Sequence, residues 1–207
     1  MKKQKKSKKK KIVLIIIIIM MILGGAGYYG YDKFIKKDTK KEVKVIKKIN
    51  NFGYKLEENK PKLYKKYFNE LDDILTQDEV NYDEYAKIVA KLFITDFYTL
   101  SNKTSKNDIG GLDFIKDSMK DNFIDEARST FYRYIKINSS EQSLPEVSEI
   151  LEVNVQKTTF TYSDQTTDED AYKVNIKWDY KVDLGYEKEA NMISVKEDKK
   201  LYIIEMD

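Results

Sequence analysis

Tyr172-Lys-Val-Asn-Ile-Lys-Trp-Asp-Tyr-Lys-Val-Asp183 puts an apolar side chain at every even position and a polar one at every odd position. Side chains of a strand alternate between the two faces of a sheet, so this stretch predicts a strand with one face on a core and the other in water. The same period holds on both sides. Upstream, Leu151, Val153 and Val155 alternate on odd numbers, whereas Phe160 and Tyr162 alternate on even ones, which predicts a bulge near Lys157 to Thr159. Ser163 to Asp170 reads as a polar, acidic connector. Downstream, Gly185 marks a turn, a strand runs from about Tyr186 to Lys196, Glu197 to Lys199 turn, and a last strand covers Lys200 to Met206. Four strands with short connectors make an antiparallel meander.

Before Pro145 the period is helical. Pro61 suits a first helical position, and Tyr64, Tyr67, Phe68, Leu71, Ile74 and Leu75 follow at three- and four-residue spacing to about Thr76. Asn81 can cap the next helix with Glu84 as its capping-box partner, and its stripe runs from Tyr82 through Val89, Leu92, Phe93 and Phe97 to Leu100. A polar loop, Ser101 to Asp108, closes in Gly110-Gly111. A third helix is expected near Asn122 to Lys136, with Ile124, Ala127, Phe131, Tyr134 and Ile135 as its buried stripe. Helices first and sheet afterwards is an α+β order, with the helices packed on one face of a curved four-stranded antiparallel sheet.

The amino-terminal end decides location. Ile12 to Tyr31 holds no charge, and its twenty residues, at about 1.5 Å of helical rise each, match a hydrocarbon core roughly 30 Å thick. Eight lysines precede it, and Tyr28, Tyr29 and Tyr31 lie where aromatic side chains settle at a headgroup boundary. The positive-inside rule keeps residues 1–11 in the cytoplasm as a basic tail and puts residues 32–207 outside the plasma membrane. A cleaved signal peptide is the competing reading, with Gly25 and Gly27 as small residues at a cutting point. The length of the uncharged run and the bulky tyrosines favour a retained single-pass anchor. The lysine-rich stretch 32–54, with sparse apolar residues and Gly53 interrupting, reads as a stalk. Residues 55–207 then form the extracytoplasmic domain.

Composition excludes several chemistries. With neither Cys nor His in the chain, the usual zinc sites and the Ser-His and Cys-His nucleophile systems are ruled out. The net charge of +3 is uneven: residues 1–48 carry sixteen lysines and three acids, +13, leaving 22 basic and 32 acidic groups, −10, in residues 49–207. The folded part is therefore acidic, and no nucleic-acid partner is expected. The acids Asp164, Asp168, Glu169 and Asp170 lack the spacing and glycine of a calcium loop, so neither metal nor cofactor is expected.

Three helices followed by a long bulged antiparallel sheet resemble the nuclear transport factor 2-like fold, a cone with a pocket between sheet and helices. A lysine-rich start, one span and such a domain outside are similar to assembly subunits of bacterial conjugation and type IV secretion machines. Phe93-Ile-Thr-Asp-Phe-Tyr-Thr-Leu-Ser-Asn-Lys103, with Asn107-Asp-Ile-Gly-Gly111, resembles uncharacterised anchored proteins of low-GC Gram-positive bacteria. The resemblance rests on the order of parts. It implies a noncatalytic interaction or assembly domain, with the bilayer, other envelope proteins or self-association as partners.

One residue breaks its local rule. At 100° per residue Asp96 falls inside the apolar stripe of the second helix. A buried carboxylate there needs partners, either the backbone amides at Gly110 and Gly111 or the cations of Arg128 and Arg133, the only arginines in the chain. The alternative is an anchored ligand-binding or enzymatic domain, in which Asp96 is a pocket carboxylate serving as a base.

Overall fold

The structure is a computed structural model that describes residues 43–135 and 143–207. The basic tail, the span Ile12 to Tyr31 and the first part of the stalk lie outside the described residues. Among the described residues no helix is long and apolar enough to cross a membrane. The chain divides into two units after Val43, and the second, Lys44–Asp207, carries the fold set out below.

That unit opens inside the stretch read as a stalk. β1 (Val45–Ile49) and β2 (Tyr54–Glu57) form an antiparallel hairpin around a single 3-10 turn, Asn50–Phe52. Gly53 allows the tight return, with φ +72°. Ile49, Tyr54 and Leu56 are buried, and Lys47 pairs with Asp72 at 2.8 Å. The hairpin thus belongs to the core, and the stalk boundary at residue 54 is corrected. The lysines hid it: only three side chains of the hairpin turn fully inward, too few to show a period.

α1 (Lys62–Leu75) buries Tyr64, Tyr67, Phe68, Leu71 and Leu75, the expected stripe except for the half-buried Ile74, and Pro61 stands at the N-cap, one place before the first helical position expected for it. α2 (Tyr82–Phe97) begins with the expected cap: the Asn81 side chain accepts from the N–H groups of Asp83 and Glu84 at 3.1 and 3.2 Å, while the Glu84 carboxylate, expected to complete a capping box, accepts from Lys87 instead. It is the central helix. From Tyr85 to Phe97 only Lys87 and Lys91 are not buried. It packs on α1 on one side and on β3, β4 and β6 on the other. The third helix is shorter than expected. α3 spans Lys120–Ser129, then Thr130 leaves the helical region with φ −110° and ψ −99°, and a 3-10 turn, Phe131–Tyr134, follows. The break rotates Tyr132 to full burial and leaves Phe131 and Ile124 half-buried.

The sheet is antiparallel in the order β3 (Val147–Thr161), β4 (Thr167–Tyr180), β5 (Glu189–Glu197), β6 (Lys200–Met206). The α+β class and the four-stranded meander are as expected. In β4 the even side chains Tyr172, Val174, Ile176, Trp178 and Tyr180 are all buried. Pairing with β3 begins at Thr167, inside the stretch read as a connector, and Val182 lies beyond the strand and is exposed. β3 shifts register between Thr158 and Phe160, where the bulge was expected, and also near Val147 and between Ile150 and Glu152. This second shift turns Leu151 out to solvent while Ile150 packs against the core. β6 shifts too: Ile203 opposes Ser194 but Glu205 opposes Ile193, so Ile204 is the extra residue.

The hairpin, α2 and sheet meet at a buried pair of hydroxyls. Tyr54 and Tyr85 share a 2.7 Å hydrogen bond, and the Tyr85 oxygen accepts from Leu201 N–H at 3.4 Å. Two phenols in contact satisfy each other inside the core, where an unpaired hydroxyl would cost about 1–3 kcal/mol.

Candidate functional site

Two features meet at the carboxyl end of α2, a buried charge cluster and an aromatic cleft. The cluster centres on Asp96, which is 4% exposed. Its Oδ2 accepts from Lys60 Nζ at 2.7 Å and from Gly111 N–H at 2.8 Å, and its Oδ1 accepts from Lys103 Nζ at 2.9 Å. Burial alone would raise the pKa of this carboxyl. The ammonium groups of Lys103 and Lys60 and the Gly111 N–H outweigh that effect and hold it well below its ordinary 3.8. Burial works the other way on Lys60, but the facing carboxylate wins and its pKa is raised. The Lys60 ammonium also lies 5.2 Å from the centre of the Tyr64 ring.

The loop after α2 is folded back to make these contacts. Gly110 N–H donates to the Tyr132 hydroxyl at 3.0 Å, and that hydroxyl donates to the Phe97 carbonyl at 2.7 Å. A Cβ on Gly110 would stand 2.2 Å from the Asp96 carbonyl oxygen. Gly111 has φ +79°, and a Cβ there would stand 2.8 Å from the Phe93 ring. The pair is glycine because the loop backbone lies directly against α2.

Of the candidate residues, Asp96, Gly110 and Gly111 come together, and the arginines do not join them. Arg128 donates to Asp125 at 3.3 Å within α3, and Arg133 is exposed. The cations are lysines instead. Lys60 precedes the proline that starts α1, and Lys103 sits in a polar loop, so neither position stands out among the chain's many lysines. The Gly110-Gly111 turn was the one available signal, since it brings the loop, and Lys103 with it, back over α2. Tyr132 was missed for a different reason: a continuous helix would have faced Phe131 and Tyr134 inward. The acidic turn gathers no ligand set. Asp164 accepts from Thr166 and Asp168 from Asp170 N–H. Among the described residues no group of three or more acids is arranged to hold a metal ion.

The cleft opens beside the cluster and has a volume of about 750 Å³. Its floor is Phe93, Phe97 and Tyr98 from the end of α2, and its walls are α3 with Phe123 and Phe131, the β4–β5 connector at Gly185 to Glu187, and β6 from Ile203 to Met206. The rings form a packed set. Phe93 stacks on Phe97 at 5.4 Å, Phe97 lies against Phe131 at 5.7 Å, and Phe131 meets the Tyr186 ring edge-on at 5.3 Å. Asp96 is not part of this lining. Gly111 separates the two features, giving its N–H to the carboxylate and its Cα face to the Phe93 ring. The charge cluster therefore braces the floor of the cleft.

The cleft is within the range of about 300–1,000 Å³ usual for binding sites. Its lining offers apolar contact, ring faces and a few carboxylates, with Arg133 at its edge. No family model, no curated protein and no solved structure matches this chain.

Proposed function

We propose that this is a single-pass membrane protein that holds the unit Lys44–Asp207 outside the cell as a noncatalytic interaction domain of a multiprotein envelope complex, of the conjugation or secretion kind. The finer architecture belongs to the same proposal: a nuclear transport factor 2-like cone whose open end is the docking surface. The observation that carries this reading is the aromatic cleft of about 750 Å³, in which half-buried Phe123, Phe131 and Tyr186 stand over the buried floor of Phe93, Phe97 and Tyr98. The carboxylate that an enzymatic reading would use is closed in by Lys60, Lys103 and Gly111, and this supports a structural role for it. The uncharged run Ile12 to Tyr31 behind eight lysines supports the anchor and its direction.

A photo-crosslinking residue tests the docking surface in the full chain. Placed at Tyr186 in intact cells, it is expected to give discrete protein adducts. Placed at Lys173, exposed on the sheet face turned away from the core, it is expected to give none. Equal adducts at both positions, or none at Tyr186, would remove the cleft as the contact surface.

A further inference from the structure

On the reading of the cleft as a docking surface, we infer that its occupant is a basic protein segment: a large apolar side chain seated on the rings, with Lys or Arg on either side. Three elements each bring one carboxylate to the rim, Glu126 from α3, Glu187 from the β4–β5 connector and Glu205 from β6. All three are exposed, and none makes an ion pair among the described residues. Their charges are therefore not neutralised by a lysine, as those of some other acids of the domain are. Glu84 holds Lys87, Glu146 holds Lys181, Glu197 holds Lys116, and Asp179 and Asp183 share Lys188. Arg133 is the cation among the described residues of the lining, so their balance is acidic. The faces of aromatic rings are negative as well, and favour a neighbouring cation.

Exposed apolar side chains stand in the cleft lining and just before it in the chain. Met119 at its edge is 36% exposed, and on the connector that supplies Gly185 to Glu187, Leu184 is 36% and Val182 58% exposed. A small ligand would need only the enclosed rings. Exposed apolar side chains flanking the lining segments in the chain suit a polymer that lies across the opening. The acidic rim disfavours the other large surface at hand, an anionic bilayer, by like-charge repulsion.

Fluorescence polarisation on the full chain in nanodiscs tests this. The probes are three short labelled peptides with a central Leu-Phe pair, flanked by lysines, by serines or by glutamates. The lysine peptide is expected to bind about tenfold tighter than the serine peptide at low salt, as three rim charges each contributing several tenths of a kcal/mol imply, and the glutamate peptide weakest. Added salt should erase the preference. Combining Glu126→Gln, Glu187→Gln and Glu205→Gln should bring the lysine and serine peptides within about twofold, because the changes are exposed and leave the fold alone. Tyr186→Ala should weaken both alike. If the serine peptide binds as tightly as the lysine peptide, the basic partner is wrong while the docking surface stands. If the triple variant keeps the full preference, the attraction belongs to the acidic domain at large and the rim assignment fails. If no peptide binds to the folded chain, the docking reading itself falls.

Discussion

Asp96→Ala is expected to destabilise the folded unit by about 3–5 kcal/mol, the cost typical of removing one partner from a buried ion pair. The substitution leaves two ammonium groups without the carboxylate they share, one 4% and one 15% exposed in the side chain, and it orphans the Gly111 N–H. Asp96→Asn keeps the shape and one acceptor but loses the charge-assisted bonds, for about 1.5–3 kcal/mol. Restoring balance tests the cause: Lys103→Met added to Asp96→Asn should cost less than the two changes summed, because each removes what the other would strand. The pH dependence follows from the same contacts. The folded carboxyl lies below its ordinary 3.8, so its stabilisation is complete above that value and is lost as pH falls toward the folded pKa. Lys60 lies above its ordinary 10.5, so its share is complete below that value and is lost only as pH rises past it. The acid limb of a denaturation profile should therefore be shallower in Asp96→Asn than in the parent. An alanine variant that unfolds within about 0.5 kcal/mol of the parent would show that the cluster is not structural.

Gly110→Ala is the second large loss, expected at about 3 kcal/mol or more. The new methyl would meet the Asp96 carbonyl oxygen at 2.2 Å and its carbon at 2.6 Å, both backbone atoms that cannot rotate away. The loop would have to move out, which breaks the bond from Gly110 to Tyr132 and draws Gly111 off the carboxylate. Gly53→Ala is the matched control. Nothing lies within 4 Å of a Cβ there, so only the positive φ opposes it, at about 1–2 kcal/mol. Urea unfolding of the two variants beside the parent separates the cases. A Gly110→Ala variant no less stable than Gly53→Ala would mean the loop is loose against α2.

What the sequence revealed and what it hid have physical causes. Alternation over Tyr172 to Tyr180 was legible because one face of β4 is wholly buried and the other wet. The Asn81 cap was legible because the capping residue sits in the chain next to the groups it serves. The stalk error came from the opposite situation, where β1 and β2 are short, rich in lysine and buried through contacts with α1, α2 and β6. At the candidate site, Asp96 announced itself by its phase in an apolar stripe, and Gly111 by the turn it completes. Its lysines did not, since which of many cations reaches a buried carboxylate is settled by tertiary closure of residues 60 and 103 on residue 96. The cleft was illegible for the same reason: its walls come from four separate stretches of chain, each with an ordinary pattern. The break at Thr130, which turns Phe131 toward Tyr186, has no strong breaker residue to mark it.

The central claim, an anchored domain with its cleft facing the outside, is tested most directly by labelling single cysteines. The chain has none of its own, so Leu184→Cys beside the cleft and Ser7→Cys in the basic tail each give one thiol. A membrane-impermeant maleimide applied to intact cells is expected to label Leu184→Cys in a membrane-bound product, and to label Ser7→Cys only after permeabilisation. The reverse pattern, or a labelled product released into the medium, would contradict the account.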